Sequence, residues 1–372
     1  MNDNFPPRGS GIRGRSEHLP MQSWASGVQL GAGWSYRPGS ILIGVDENGR
    51  EIGFNDDRHA IMFAGTGGGK TSTLLKYNYE RWPGSMIVTD PKGELWAAGH
   101  KKREDEAAGR KAYKFDPFGV TEGASHCYNP LAELGFGNAA MMAADAALIA
   151  DALIIAHKGG DPHWTDSAQN LIKGFILLMH LQGNPTLRRL RQMLHSTPAQ
   201  LSRLLDEMVE SDAYGGVLAN IGAAFMGKQV GSERELAGIL STAQEQTAPL
   251  DEIADITDRS DFSMADLRDG KITLNVILPG MRLLTHARAM RLLVQMSLAA
   301  LERYPVPRGG TPVLFMLEEL AALGPMRSVE SAAGLMRGYP APPPHSCRGG
   351  EYGKLSSRLS RDPWRAPSPR RP

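Results

Sequence analysis

The sequence has few cysteines and no long apolar segment. Cys127 and Cys347 are the two cysteines among 372 residues, and they provide neither a disulfide framework nor the spacing of a metal site. No run of about 18 consecutive apolar residues occurs, which is the length that a membrane-spanning helix needs. These absences exclude a disulfide-stabilised secreted domain, and they predict neither a transmembrane helix nor a signal peptide.

Excess charge is also nearly absent from the chain as a whole. The sequence has 41 Lys and Arg against 40 Asp and Glu. Residues 340–372 carry a net charge of +5, so the remainder is mildly acidic and gives no argument for nucleic-acid binding through overall charge. The same segment contains eight prolines and no Val, Ile, Met or Phe, which predicts a disordered Pro/Arg/Ser-rich tail.

The most informative stretch runs from His59 to Ser72. A short apolar run predicts a strand, which leads into a glycine-rich turn, a Lys-Thr pair and a helix. Consecutive glycines let backbone N–H groups surround a phosphate, and the helix start adds partial positive charge. This pattern predicts a phosphate-binding loop rather than a flexible turn, with these contacts: Gly65, Thr66, Gly67, Gly68, Gly69, Lys70, Thr71 and Ser72. Lys70 would reach the β/γ-phosphates, and the Thr71 hydroxyl would bind Mg²⁺.

A second apolar run, 85–90, ends in Asp-Pro-Lys-Gly-Glu. The carboxyl ends of strands form the ligand edge of an open α/β sheet, so Asp90, Lys92 and Glu94 are candidates to line a nucleotide site. A solvated turn explains the same residues equally well.

A third apolar run, 311–317, ends in Glu318 and Glu319. Downstream of a phosphate loop, such a pair predicts the second half of a P-loop ATPase site. Glu318 would then lie near Mg²⁺, and Glu319 would orient the attacking water. An ordinary acidic helix start is the alternative, and the Lys70-Thr71 pair makes it the weaker one.

Alternation of strands and helices stops in the middle of the chain. Residues 139–258 show helical spacing without a strand pattern, and strands resume at 271–278. We therefore predict an α/β fold with an inserted all-α domain. The predicted segments are an irregular arm (1–40), a first nucleotide-binding part (41–138), the insertion (139–258), a second nucleotide-binding part (259–339) and the tail (340–372).

Several motifs together resemble the TraG-like coupling proteins of type IV secretion, hexameric ATPases that deliver DNA–relaxase complexes to a channel. The motifs keep the family order over residues 45–339: Ala64–Thr71, Trp82–Ser85, Val88–Leu95, Asp116-Pro117, Asn129–Leu131, His163-Trp164 with Ala168, Ser260–Phe262, Leu278-Pro279 and Glu318–Gly324. The stretch from Trp82 to Leu95 is far more specific than the phosphate loop alone.

The resemblance implies a RecA-like P-loop core that uses ATP and Mg²⁺. The implied partners are DNA, a relaxase or secreted effector, channel proteins at the inner membrane and further copies of the chain in a homo-hexamer. The implied location is cytoplasmic and peripheral at the inner membrane. Arg337 matches an arginine finger that acts on a neighbouring subunit's nucleotide, and a plain basic residue near a helix end is an equal alternative.

The chain departs from the family pattern in three respects. Family members usually begin with transmembrane helices, and none is predicted in this sequence. Glu318 stands where the family usually has Asp, and after Tyr339 the expected core strand, with its nucleotide-sensing Gln, is replaced by the tail. A truncated or frameshifted member that binds nucleotide but hydrolyses it poorly is therefore one alternative, and an ATPase that moves a cargo other than DNA is another. In the insertion, Arg188, Arg189, Arg191 and Arg203 would either hold DNA or form a solvated face, which is the commoner case.

Overall fold

A computed structural model describes residues 30–55, 60, 62, 68–135, 138–156, 161–324, 326 and 329. Within these residues, six strands form two sheets: β1 (Ile41–Val45), β2 (Glu51–Phe54), β3 (Met86–Thr89), β4 (Lys111–Phe115), β5 (Ile272–Val276) and β6 (Leu314–Leu317). β1 and β2 form an antiparallel hairpin. Asp46 closes its turn by accepting hydrogen bonds from the backbone N–H groups of Asn48 and Arg50.

The other four strands form a parallel sheet in the order β4-β5-β3-β6. Every residue of β3 and β5 is buried, as expected for strands that have neighbours on both sides and helices on both faces. Among the described strands, β6 pairs with β3 alone, and most of its residues are partly exposed. Because the strands are parallel, the polar residues that follow β3 and β6 meet at one edge of the sheet.

Ten α-helices lie within the described residues: α1 (Lys76–Arg81), α2 (Glu94–Arg103), α3 (Ala139–Leu153), α4 (Pro162–Leu181), α5 (Leu187–Leu194), α6 (Pro198–Val209), α7 (Val217–Gly231), α8 (Glu233–Thr247), α9 (Gly280–Leu283) and α10 (Ala287–Arg303). A π-helical segment, Lys70–Leu75, leads directly into α1. Short 3₁₀ helices cover Ala32–Trp34, Ala213–Gly216, Ala248–Ile256, Met264–Asp269 and Leu320–Leu323.

Helices α3–α8 and the 3₁₀ helix Ala248–Ile256 form a helical block between β4 and β5. The chain enters and leaves this block along adjacent paths. The Tyr128 N–H donates to the Ile256 carbonyl at 2.9 Å, and the Asp261 N–H donates to the Cys127 carbonyl at 2.9 Å. The Asp261 carboxylate also accepts a hydrogen bond from the Cys127 N–H at 2.7 Å. These contacts join the segment that enters the helical block to the segment that leaves it.

The helical block and the sheet share one hydrophobic core. Ile87 of β3, Phe175 of α4 and Leu293 of α10 belong to the same cluster of buried side chains. The boundaries proposed at 138/139 and 258/259 therefore stay predictions, because the packing shows no break between the two parts.

Helix α2 ends earlier than the sequence predicts. The sequence pattern predicts a helix from Leu95 to Arg110, whereas α2 ends at Arg103. The chain then turns back: Asp105 and Arg110 bridge each other, and Gly109 adopts a φ of 65°, which a residue with a Cβ rarely takes.

Several sequence predictions lie wholly or mainly outside the described residues. They are most of the arm (1–29), the strand before the phosphate loop (59–64), the tail (340–372) and a helix that the sequence pattern predicts from Pro325 to about Gly338. Within the part that the structure describes, no helix combines the length and apolar character needed to span a bilayer.

Candidate functional site

The residues at the start of the first helix form one wall of the candidate site. Gly69 has a φ of 76°, a left-handed conformation that glycine takes without steric cost, and the π-helical segment begins at the next residue, Lys70. The Gly69 carbonyl accepts hydrogen bonds from the Thr73 N–H at 2.9 Å and the Thr73 hydroxyl at 2.7 Å. This turn places Lys70 and Thr71 at the helix start, beside the carboxyl end of β6.

The Asp-Pro-Lys-Gly-Glu turn follows β3 on the same edge. Asp90 is 2% exposed, and its carboxylate accepts a hydrogen bond from the Trp96 N–H at 2.8 Å. The turn is therefore not simply solvated at Asp90, whose carboxylate caps the start of α2. Lys92 and Glu94 do lie at the surface, where they form an ion pair at 3.6 Å.

Glu318 and Glu319 follow β6. The Thr71 hydroxyl donates to Glu318 Oε1 at 3.4 Å, although the two residues are 247 positions apart in the chain. The Glu318 main-chain carbonyl accepts a hydrogen bond from the Thr89 hydroxyl at 2.8 Å. Glu319 has a φ of 52°, an uncommon backbone conformation for a residue with a Cβ.

The carboxylates on this edge affect one another. Burial raises the pKa of Glu318, and the negative charge of Asp90 raises it further, against the hydrogen bond from Thr71. Burial likewise raises the pKa of Asp90, while backbone N–H groups at the start of α2 lower it. Partly buried carboxylates close to one another create a demand for positive charge at this edge.

A hydroxyl and a carboxylate in contact offer the oxygen ligands that hard divalent cations take. Within the described ranges, no group of three or more His, Cys, Asp or Glu is arranged to hold a metal ion. The geometry therefore suits an ion that keeps several waters and is shared with a second ligand, rather than one enclosed by protein side chains.

The structure brings four predicted site residues together: Lys70, Thr71, Asp90 and Glu318. Gly68, Gly69 and Ser72 lie in the same loop and helix start, and Glu319 follows in the turn after β6. The predicted phosphate contacts Gly65, Thr66 and Gly67, and the predicted arginine finger Arg337, lie outside the described residues. Sequence reasoning missed Thr89, because a threonine that ends an apolar run gives no signal that its hydroxyl reaches another strand.

Three of the four arginines that the sequence singles out in the helical block, Arg188, Arg189 and Arg191, are held by neighbouring acceptors. Arg191 is buried and contacts both carboxylate oxygens of Asp251, at 2.9 and 2.7 Å. Arg188 bonds to Asp258 at 2.7 Å and also pairs with Asp255. These contacts occupy the guanidinium groups of Arg188 and Arg191 within the helical block, so the two side chains do not form a free cationic surface.

A cavity of about 460 Å³ lies at the opposite edge of the sheet, at the amino ends of the strands. Its lining includes Gly84, Arg110, Arg268 and Thr311. It is separate from the candidate site residues Lys70, Thr71, Asp90 and Glu318.

A parallel α/β sheet with a Lys-Thr helix start and acidic strand ends at one edge is the architecture of RecA-like nucleotide-binding proteins. Residues 24–342 match the family described as Type IV secretory system Conjugative DNA transfer, and the chain belongs to this family. It is 28% identical over 336 residues to the conjugal transfer protein TraG of Escherichia coli, covering 85% of this chain and 50% of TraG. It is 27% identical over 282 residues to protein VirD4 of Rhizobium radiobacter, covering 76% and 40% respectively. The chain thus spans about half the length of these relatives or less.

Solved structures confirm the predicted fold class. The plasmid coupling protein TrwB in complex with ADP and Mg²⁺ superposes with a TM-score of 0.60 at 19% identity, covering 83% of this chain and 67% of that one. TrwB in complex with the non-hydrolysable analogue ADPNP gives a TM-score of 0.59 at 16% identity. At these identities the likeness concerns the fold alone.

Proposed function

We propose that this chain is the nucleotide-driven subunit of a coupling protein, which binds ATP with Mg²⁺ and uses its hydrolysis to drive DNA or DNA–protein cargo into a type IV secretion channel. Membership of the conjugative DNA transfer family and the TrwB-like fold support this proposal. The cofactors follow from the TrwB complexes with ADPNP and with ADP and Mg²⁺, together with the oxygen ligands at this edge. Inner-membrane channel proteins, a relaxase or effector, and a homo-hexamer are the partners that the proposal includes.

Each candidate residue has a definite role in this proposal. The backbone of Gly65–Gly69 and the side chain of Ser72 surround the phosphates, and Lys70 neutralises their charge. Thr71 and Glu318 hold Mg²⁺, which would supply charge neutralisation for the phosphates when bound. Glu319 orients the attacking water, and Arg337 acts on the nucleotide of a neighbouring subunit. Asp90 contributes negative charge beside Glu318 while it caps α2.

One observation carries the proposal: the contact between Thr71 and Glu318 at 3.4 Å. It joins the two halves of the predicted site, which lie on either side of the helical block in sequence. Glu318 is one methylene longer than the Asp usual at this position. Its carboxylate nevertheless reaches the Thr71 hydroxyl, so the residues present fit a Mg²⁺ ion that keeps most of its water ligands.

The decisive experiment replaces Lys70 with alanine. We expect Lys70→Ala to weaken Mg-ADPNP binding by about 10- to 100-fold or more, because a phosphate loses a charged donor. Lys92→Ala is the matched control, since Lys92 is an exposed lysine on the neighbouring turn. Calorimetry measures binding, and ATP hydrolysis with and without DNA separates a DNA motor from an ATPase with another cargo.

Two results would contradict the proposal. Lys70→Ala binding Mg-ADPNP as tightly as the parent, with both proteins folded, would refute the phosphate-loop assignment. Hydrolysis that does not respond to DNA would favour a cargo other than DNA.

A further inference from the structure

Thr89 makes a contact that extends the pairing of β3 and β6 beyond their last residues. In the parallel ladder, Thr89 lies opposite Leu317 as the last pair. The Thr89 side chain is buried, and its hydroxyl donates to the main-chain carbonyl of Glu318 at 2.8 Å. The hydroxyl therefore reaches the turn that carries the two acidic residues.

The carbonyl that Thr89 holds belongs to the peptide between Glu318 and Glu319. Glu319 has a φ of 52°, in the left-handed region that residues with a Cβ disfavour. Such a conformation persists only where surrounding contacts hold it, and it is found more often at functional sites than elsewhere. The hydrogen bond from Thr89 is a contact of this kind, because it fixes the peptide plane immediately before Glu319.

Glu318 is thus held at two points by two hydroxyl groups. Thr89 of β3 holds its carbonyl, and Thr71 of the π-helical segment contacts its carboxylate. With the peptide fixed, the Glu318 side chain faces the helix start, while the Glu319 backbone turns sharply away from the strand direction. The peptide plane that accepts the Thr89 hydrogen bond lies between the two acids.

We propose that Thr89 is a positioning residue for hydrolysis, which acts through the Glu318–Glu319 peptide and does not touch nucleotide. The inference rests on the proposed function, because it assigns Thr89 a task in the same site. Misplacement of catalytic groups by about 1 Å can lower turnover by about 100-fold while leaving most binding contacts intact. Loss of the Thr89 hydroxyl therefore affects turnover more than nucleotide affinity.

The test compares three variants of the full chain. Thr89→Val keeps the shape and β-branching of the side chain and removes the hydroxyl, and Thr89→Ser keeps the hydroxyl. Thr257→Val is the matched control: Thr257 is buried, and its hydroxyl donates to the carbonyls of Ile253 and Ala254 in the helical block. ATP turnover, KM for ATP and urea unfolding are measured for each.

We expect Thr89→Val to lower kcat by about 10- to 100-fold and to change KM by less than about threefold. Thr89→Ser is expected to keep kcat within about threefold of the parent. Thr257→Val is expected to be less stable than the parent but not to show a lower kcat with a nearly unchanged KM. A kcat of Thr89→Val equal to that of Thr257→Val would overturn the proposal. A Thr89→Ser variant as slow as Thr89→Val would overturn it as well.

A crystal structure of Thr89→Val without nucleotide tests the same inference independently of turnover. We expect the Glu318–Glu319 peptide to rotate and Glu319 to leave the left-handed region. An unchanged turn would overturn the role given to Thr89. Failure of the parent to bind Mg-ADPNP would instead refute the proposed function, and the crystal structure would still decide whether Thr89 holds the turn.

Discussion

At the scale of single residues, the site depends on carboxylates placed where their ionisation is unfavourable. Glu318 is half-buried, and its pKa is raised by burial and by the nearby charge of Asp90. When the pKa of an acid is higher in the folded state than in the unfolded state, the free energy of unfolding falls as the pH rises from the unfolded-state pKa to the folded-state pKa. Glu318 therefore destabilises the fold at neutral pH in the absence of a cation, and a bound cation relieves this cost.

This reasoning predicts opposite effects of Glu318→Gln on stability and on metal-dependent binding. Without nucleotide or Mg²⁺, the variant should be more stable than the parent at pH 7. This difference in the free energy of unfolding should vanish below about pH 4, where the Glu318 carboxylate of the parent is protonated. Its Mg²⁺-dependent affinity for ADPNP should fall by about tenfold or more. Urea unfolding at the two pH values and calorimetry with and without Mg²⁺ measure these effects.

Glu94→Gln is the control, since Glu94 is an exposed glutamate on the adjacent turn. Removal of its surface ion pair with Lys92 should change the free energy of unfolding by at most about 1 kcal/mol. A Glu318→Gln variant that is less stable than the parent at pH 7 would show that local donors stabilise the ionised carboxylate, contrary to the argument from burial.

The residues that the sequence could and could not reveal differ in a simple way. Asp90 and Glu318 were predictable at this edge because charged side chains directly after apolar runs fall on the ligand edge of a parallel sheet, and Lys70 because it ends a glycine-rich turn before a helix. Thr89 was not, because its part depends on the register of two strands that are far apart in the chain. The positive φ of Glu319 is likewise set by tertiary contacts and leaves no trace in composition.

At the scale of elements, Arg103 links three segments at the amino edge of the sheet. It is 2% exposed and donates to the Gly84 carbonyl at 2.6 Å, to Thr273 Oγ1 at 2.9 Å and to the Trp82 carbonyl. Burial lowers its pKa to about 10, so it stays charged at neutral pH. These contacts give the Trp-Pro-Gly-Ser motif a structural role, since they connect the end of α1 to β3 and β5.

Removal of this link should destabilise the fold without acting on the site directly. Arg103→Met should lower the free energy of unfolding by about 1–3 kcal/mol for each of the two carbonyls, of Trp82 and Gly84, that lose their donor. Lys101→Met, which replaces an exposed lysine in the same turn of the helix, should lower the free energy of unfolding by at most about 0.5 kcal/mol. Urea unfolding measures both, and equal losses would show that Arg103 contributes no more than a surface charge.

Arg103 also marks the place where the predicted end of α2 was wrong. The basic run at 101–103 is typical of the last turn of a helix, but residues 104–108 continue with types that mostly favour helices, and nothing in the sequence shows that Arg103 points inward. The inward arginine fixes the helix end against Trp82 and Gly84, and the chain must then reverse to begin β4. Gly109 was the available signal for that reversal.

At the scale of the whole molecule, the pattern of apolar runs predicted the α/β class and the helical insertion. Strand order was not predictable in the same way, because it depends on which distant strands pair. The shared core was also hidden, since apolar stripes on α3–α8 show that these helices are buried without showing their partners. The spacing of apolar residues along a helix or strand shows which face is buried, whereas the packing of distant segments depends on the complementary shapes of their side chains.

The last prediction concerns where DNA would meet this molecule. DNA binding releases counterions, so each phosphate contact contributes about −0.9 to the slope of log affinity against log salt. Arg188 already pairs with Asp255 and Asp258, and Arg191 with Asp251. A phosphate would have to displace these carboxylates, which would then remain close to the DNA and repel it. Any DNA binding by the chain should therefore not depend on this pair of arginines.

We expect Arg188→Gln, in the full chain, to change the salt slope of DNA binding by less than about 0.3. Arg203→Gln is the comparison variant, because Arg203 is exposed on α6 of the same helical block. Fluorescence anisotropy over a series of salt concentrations gives the slopes. A slope reduced by about 1 in Arg188→Gln would show that Arg188 leaves its carboxylate partners to contact phosphate, and it would place the DNA path on the helical block.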